Sequence, residues 1–126
     1  MPLVSVVLIF LNEERFLEEA VRSVCDQTLT DWELILVDDG SSDRSTLIAQ
    51  DFAARDERIR YVSHPNHQNR GMAASRNLGV AHSSAPYLAF IDGDDVWTPY
   101  KLAEQVDMLE SMPDVAMVSG ARYLWH

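Results

Sequence analysis

The chain has 126 residues, 47% of them apolar, and carries 20 acidic against 10 basic side chains, a formal net charge of −10. Such a composition belongs to a single folded domain rather than a disordered chain, and roughly two-thirds of the unfolded surface can be buried at this length. The acidic balance excludes nucleic acid and anionic membrane as partners of a general basic face, because phosphates need positive charge.

In chain order, Val4–Leu11 is short, apolar and β-branched, which predicts a strand buried on both faces. Asn12 is the expected cap of a following helix, with Glu13 and Glu14 near the positive end of its dipole. Phe16, Leu17, Ala20, Val21, Val24 and Cys25 recur at helical spacing and form one apolar face. Cys25 lies on that face and reads as core rather than nucleophile. Trp32–Val37 predicts a second strand, ended by Asp38-Asp39-Gly40-Ser41-Ser42-Asp43. A helix through Leu47, Ile48 and Phe52 follows, then a strand over Ile59–Ser63 and a polar loop over Pro65–Gly71. Gly71–His82 predicts a third helix and Tyr87–Ile91 a fourth strand. Thr98 with Pro99 is a cap followed by a first-turn proline, so a helix should enter there and run through Leu102, Val106 and Leu109 until Pro113. Val115–Val118 reads as a fifth strand.

Strand alternating with helix predicts an α/β domain with a mostly parallel sheet flanked by helices. One cysteine cannot form an internal disulfide. The longest apolar run, Val6–Leu11, falls far short of the roughly 20 residues that cross a bilayer. No basic segment precedes it, as a signal peptide would require. The expected location is therefore cytoplasmic, peripheral to a membrane only through parts outside this chain.

Ligands of open α/β sheets bind beyond the carboxyl ends of the strands, and the conspicuous polar residues stand there. Asn12 follows the first strand, Asp38 and Asp39 the second, and Asp92-Gly93-Asp94-Asp95 the fourth. Five carboxylates brought together repel one another unless protonation, arginine or a cation offsets them. An aspartate-rich oxygen site suits a hard divalent ion such as Mn²⁺ or Mg²⁺. Gly93 allows the backbone to turn tightly, so that its neighbours' carboxylates can face one ion. Against this stands the ordinary use of Asp and Gly in turns and caps; two such clusters at sheet ends of one domain favour the site. Other chemistries fail on detail. Neither G-x-G-x-x-G nor G-x-x-x-x-G-K-[ST] occurs, and the one lysine is Lys101. The aspartates lack EF-hand spacing, and His64 and His67 have no H-E-x-x-H around them. A metal-dependent phosphatase using Asp92 and Asp94 would want a nucleophile after the first strand, where Asn12 stands.

Taken together, Val4–Glu14, Ala20–Thr28, Trp32–Ser41, Gly71-x-x-x-Ser75-Arg76-Asn77-x-Gly79 and Ile91–Asp95 resemble the GT-A-fold inverting glycosyltransferases, the large family 2 of bacterial polysaccharide synthesis. The resemblance covers nearly the whole chain, and the combination of motifs is specific where each alone is not. It implies a Rossmann-like nucleotide-diphospho-sugar transferase fold, with 1–126 as its nucleotide-sugar-binding portion. It also implies a UDP- or GDP-sugar donor, a glycan or other acceptor, and metal-dependent transfer with inversion. On this reading Phe10 and Asn12 at the first strand end, with Asp39, hold the base, Asp39 accepting from a ring N–H. Asp38 is its neighbour, and Arg76 partners carboxylates or the diphosphate. Asp92 and Gly93 begin the D-x-D region, Asp92 meeting ribose or metal, and Asp94 or Asp95 hold the cation. Ile9-Phe10-Leu11 stand where the family has Pro-Thr-Tyr or a near variant, so packing by Phe10 or backbone groups replaces a hydroxyl contact. The family's catalytic base and acceptor side are expected downstream of His126. The alternative is a fragment that binds nucleotide and metal without transferring sugar.

Overall fold

The computed structural model describes residues 2–111 and the strand Arg122–Leu124. Among the described residues, strands β1 (Val4–Phe10), β2 (Trp32–Asp38), β3 (Ile59–Ser63), β4 (Tyr87–Asp92) and β5 (Arg122–Leu124) form one sheet in the order β3-β2-β1-β4-β5. Every pairing is parallel. The expected α/β architecture is thus observed. The Val115–Val118 strand and Pro113 lie outside the described residues.

Central position explains composition. β1 and β2 are buried along their whole length, which is why they read as continuous apolar runs rather than alternating ones. Helices α1 (Leu17–Cys25), α2 (Ser45–Arg55) and α4 (Lys101–Glu110) serve one face of the sheet. There Leu17, Ala20, Val21, Val24, Leu102 and Val106 join Val6, Leu8, Phe10, Leu34, Leu36 and Ile91 in the larger core cluster. Cys25 packs at its margin, and burial pushes its thiol pKa up, consistent with a core role. Helix α3 (Met72–Ala81) covers the other face, where Leu78 meets Val7, Ile9, Ile35 and Val37. Gly79 permits that close approach: a Cβ there would lie 2.3 Å from Val7 Cγ1.

The chain runs β1, β2, β3 in one direction, then returns through α3 to set β4 on the far side of β1. The switch point of this doubly wound arrangement therefore lies between the ends of β1 and β4, where α/β sheets open a crevice for ligands. Two helix entries differ from the sequence expectation. Asn12 does not cap α1, which starts at Leu17 after Phe16. Its backbone is left-handed (φ 52°), a conformation asparagine tolerates, and its side chain faces the β2–α2 loop. Likewise α4 starts at Lys101 after Tyr100. The Thr98 carbonyl closes the preceding turn by accepting from Lys101 N, and it also binds Gln27 Nε2.

A buried polar cluster ties the amino-terminal side of the α3 face. Glu33 accepts from Ser5 Oγ, from both N and Oγ of Ser84, and from Arg60 Nη2 at 2.7 Å. Burial pushes its pKa up, but these donors outweigh that effect and hold it below its ordinary value of 4.5. A depressed carboxylate contributes stability above its unfolded pKa and loses it as pH falls through its folded pKa. Glu33→Gln is therefore expected to cost about 1–3 kcal/mol at neutral pH. The gap to wild type should hold from pH 7 to 5 and close in more acidic solution, as read by urea unfolding at each pH. A gap that widens on acidification would contradict this sign.

Candidate nucleotide and metal site

Three strand-end loops meet at the switch point. Phe10 O accepts from Asp39 N at 3.0 Å, and Ile9 O accepts from Gly93 N at 3.0 Å, so the loops after β2 and β4 are both pinned to the end of β1. The segment from Asp38 to Ser45 also clamps the loop after β1. Ser41 Oγ accepts from Asn12 N, Ser45 Oγ from Glu13 N at 2.7 Å, and Asp43 Oδ2 from Glu14 N. In return Asn12 Oδ1 accepts from Ser42 N and Asp43 N. Asn12 is exposed at the rim, yet its carbonyl oxygen serves this clamp.

The two adjacent aspartates divide the work. Asp38 has no exposed surface. Its Oδ1 accepts from Ser41 N, and its Oδ2 from Thr46 Oγ1 at 2.6 Å and Tyr61 OH at 2.8 Å. Burial and the bond to Asp38 push the Tyr61 phenol pKa up to about 12, so it stays a donor. The saturated, inaccessible Asp38 carboxylate supports the loop beside Asp39. Phe10 is 1% exposed, and its ring belongs to the core beneath the site. Asp39 is held differently. Its Oδ1 accepts from Arg70 N at 2.8 Å and Gly71 N at 3.1 Å, with His64 Nε2 at 3.5 Å. Oδ2 shares only the Gly71 N–H, at 3.1 Å.

Beyond β4, the carboxylates of Asp92, Asp94 and Asp95 offer oxygen atoms that all lie within 4.8 Å of one another. The bend that gathers them is closed by Asp95 N donating to Asp92 O. Gly93 lies buried beneath: a Cβ there would stand 2.8 Å from Phe10 Cβ and 3.2 Å from Glu13 Cγ. That contact exposes a residue the sequence reading placed elsewhere. Glu13 does not serve the α1 dipole, whose first turn holds Glu18 and Glu19. It approaches the cluster, and burial, then Asp94, Asp43 and Asp92, raise its pKa above 4.5. Its position after the first strand, opposite a D-x-D-type loop across the switch point, was the available signal.

Arg76 is exposed on α3, with its guanidinium over the Phe90 ring at 5.6 Å from the centroid. Phe90 and Asp92 are two apart on β4 and share a face of the sheet. Arg76 is thereby set on the side from which Asp92 emerges.

The arrangement supplies acceptors to one side of the switch point, a carboxylate cluster to the other and an exposed cation on α3. No helix among the described residues is long and apolar enough to cross a membrane. The chain is 47% identical over 95 residues to an uncharacterised glycosyltransferase, EpsJ, of Bacillus subtilis, covering 75% of this chain and 26% of that protein. It is 41% identical over 110 residues to a putative glycosyltransferase, EpsE, of the same organism (86% and 39% covered). To the Escherichia coli UDP-Glc:alpha-D-GlcNAc-diphosphoundecaprenol beta-1,3-glucosyltransferase WfgD it is 35% identical over 107 residues (85% and 41% covered). These three relatives are thus matched over about a quarter to two-fifths of their own length. Among solved structures, S. aureus TarS 1-349 in complex with UDP-GlcNAc superposes with a TM-score of 0.78 at 21% identity, covering 86% of this chain and 31% of that one. The mannosyltransferase PcManGT from Pyrobaculum calidifontis, in complex with GDP-Man and Mn²⁺, gives 0.78 at 24% identity, covering 86% and 32%. Both likenesses establish a shared GT-A fold. The glycosyl transferase family 2 profile matches residues 5–126, and with the fold and the strand-end residues in agreement, the chain belongs to glycosyl transferase family 2.

Proposed function

We propose that this chain is the donor-binding portion of an inverting glycosyltransferase that takes a UDP- or GDP-sugar and delivers the sugar to a glycan or other acceptor. The observation that carries the reading is the clustering of Asp92, Asp94 and Asp95 at the switch point, with Glu13 crowded against them. Clustered carboxylates with an additional acid of raised pKa form a site whose negative charge calls for a cation. The donor set is all oxygen, which fits Mn²⁺ or Mg²⁺. Asp94 and Asp95 would hold the ion, with Asp92 reaching ribose or metal. When bound, the cation neutralises the diphosphate and stabilises it as the leaving group.

The chain's own residues bind and orient the donor. Asp39 offers Oδ2 to a ring N–H of the base, because its other oxygen is already fixed by Arg70 and Gly71. Arg76 supplies positive charge toward the diphosphate. Asp38, Phe10 and the Ser41–Ser45 clamp hold these groups in register. Acceptor attack from the face opposite the diphosphate inverts the anomeric centre. The base that assists it is assigned to the part of the relatives that this chain does not span. The cited relatives support this reading: TarS is described with UDP-GlcNAc, PcManGT with GDP-Man and Mn²⁺, and WfgD is named for UDP-Glc.

The test is a thermal-shift panel over UDP, GDP, dTDP and CDP, with Mn²⁺, with Mg²⁺ and with EDTA. A ligand at about 100 times its Kd stabilises by about 2.7 kcal/mol, a shift easily read. Stabilisation by UDP or GDP only with a divalent ion is the expected result; equal stabilisation in EDTA would remove the metal bridge. Acceptor-dependent release of nucleoside diphosphate, compared between this chain and a version extended to the relatives' length, then separates transfer from binding alone.

A further inference from the structure

We propose that His64 is a positioning residue for nucleobase recognition: it sets the Asp39 carboxylate and couples it to α3. This rests on the reading above in which Asp39 meets the base. The imidazole follows β3, is 6% exposed, and sits between two elements of the site. Its Nε2 lies 2.9 Å from Ser75 Oγ on α3 and 3.5 Å from Asp39 Oδ1 after β2. Ser75 is fully buried and immediately precedes Arg76.

The chemistry of the contact follows from the partners. Nε2 faces both Asp39 Oδ1 and Ser75 Oγ; the 2.9 Å contact to Ser75 is its hydrogen bond, donated or accepted according to the tautomer. Arg70 N and Gly71 N donate to Oδ1 and His64 Nε2 stands 3.5 Å from it, while Oδ2 accepts only from Gly71 N. Turning the carboxylate would break its bonds from Arg70 N and Gly71 N and drive it against the His64 ring, which Ser75 holds in place. Oδ2, which keeps a single donor, is therefore held in a constant direction. Through Ser75 the same ring fixes how α3, and with it Arg76, sits relative to the base-reading oxygen. The neighbouring His67 does different work, contacting Ser41 O at 2.7 Å and bracing the loop from its solvent side.

A purely structural histidine would weaken every ligand of the site alike; a positioning residue for the base would not. The experiment is calorimetric titration of the chain with UDP, GDP and inorganic pyrophosphate, each with Mn²⁺, for wild type, His64→Ala, His64→Gln and Ser75→Ala. His64→Ala is expected to weaken the preferred nucleotide roughly tenfold, the effect of one hydrogen bond to a charged group, and pyrophosphate less than twofold. His64→Gln, whose amide can still donate to Asp39, should recover most of the loss. Ser75→Ala keeps the imidazole and should show a smaller base-specific loss. Parallel weakening of nucleotide and pyrophosphate, or no change in either, overturns the proposal. If His64→Ala does not fold, failure of His64→Gln to keep the wild-type ratio of nucleotide to pyrophosphate affinity overturns it as well. Wild type that binds pyrophosphate as tightly as UDP and GDP would refute base reading by Asp39 itself, a different failure.

Discussion

Alanine at Gly93 is expected to destabilise the chain and disable the carboxylate cluster together. The residue needs no unusual backbone angle; the constraint is space. Its Cβ would stand 2.8 Å from Phe10 Cβ, an atom fixed to the central strand and unable to swing aside, and within 3.4 Å of two carbons of Glu13. Relief requires lifting the loop off β1, which breaks the Gly93 N–Ile9 O bond that pins it. Overpacking of this kind costs about 1–3 kcal/mol, measurable as a lower denaturation midpoint with an unchanged slope. Because Asp92, Asp94 and Asp95 flank the displaced residue, the Mn²⁺-dependent shift with nucleotide should disappear too. A variant within about 0.5 kcal/mol of wild type that still binds nucleotide would show that the loop has room the geometry denies it.

Asp94→Ala and Asp95→Ala should separate stability from binding in the opposite sense. Each removes one negative charge from a crowded group, so the metal-free chain should be as stable as wild type or slightly more so. Nucleotide affinity in Mn²⁺ should fall by about 100-fold or more, since loss of a group behind a metal ligand alone costs 10–100-fold. In EDTA neither wild type nor variant should bind nucleotide measurably. Calorimetry with and without the ion reads both quantities, and a retained cation-dependent gain in either variant would move the metal away from these two residues.

The expected elements were legible because their periods were clear. β1 and β2 read as unbroken apolar runs and are central strands buried throughout; α1 showed a face that the core then covered. Helix entries were less legible. Asn12 and Thr98 have the residue type of a cap, but α4 starts only at Lys101 after Tyr100, and the Asn12 side chain is engaged by Ser42 and Asp43, distant in sequence. Such partners leave no local pattern. The same holds for Glu33, an acid inside an apolar strand whose four donors come from β1, β3 and the turn before β4.

For the site, the residue types and the strand ends that carry them were present in the chain from the start. Their division of labour was not. Asp38 and Asp39 are buried neighbours with the same chemistry, yet Asp38 is held by Ser41, Thr46 and Tyr61 and Asp39 by Arg70 and Gly71, because alternate residues leaving a strand point to opposite faces. Phe10 lies in the core beneath the site, since its side chain falls on the α1 face. Glu13 and His64 gained their positions only when the sheet order placed β4 beside β1 and the β3–α3 loop beside Asp39. The acidic charge of −10 was determined by the sequence, and so was the excess of aspartates where strands end. That Glu13 stands against Asp92 and Asp94 was decided by the tertiary structure, because the parallel sheet sets the ends of β1 and β4 side by side.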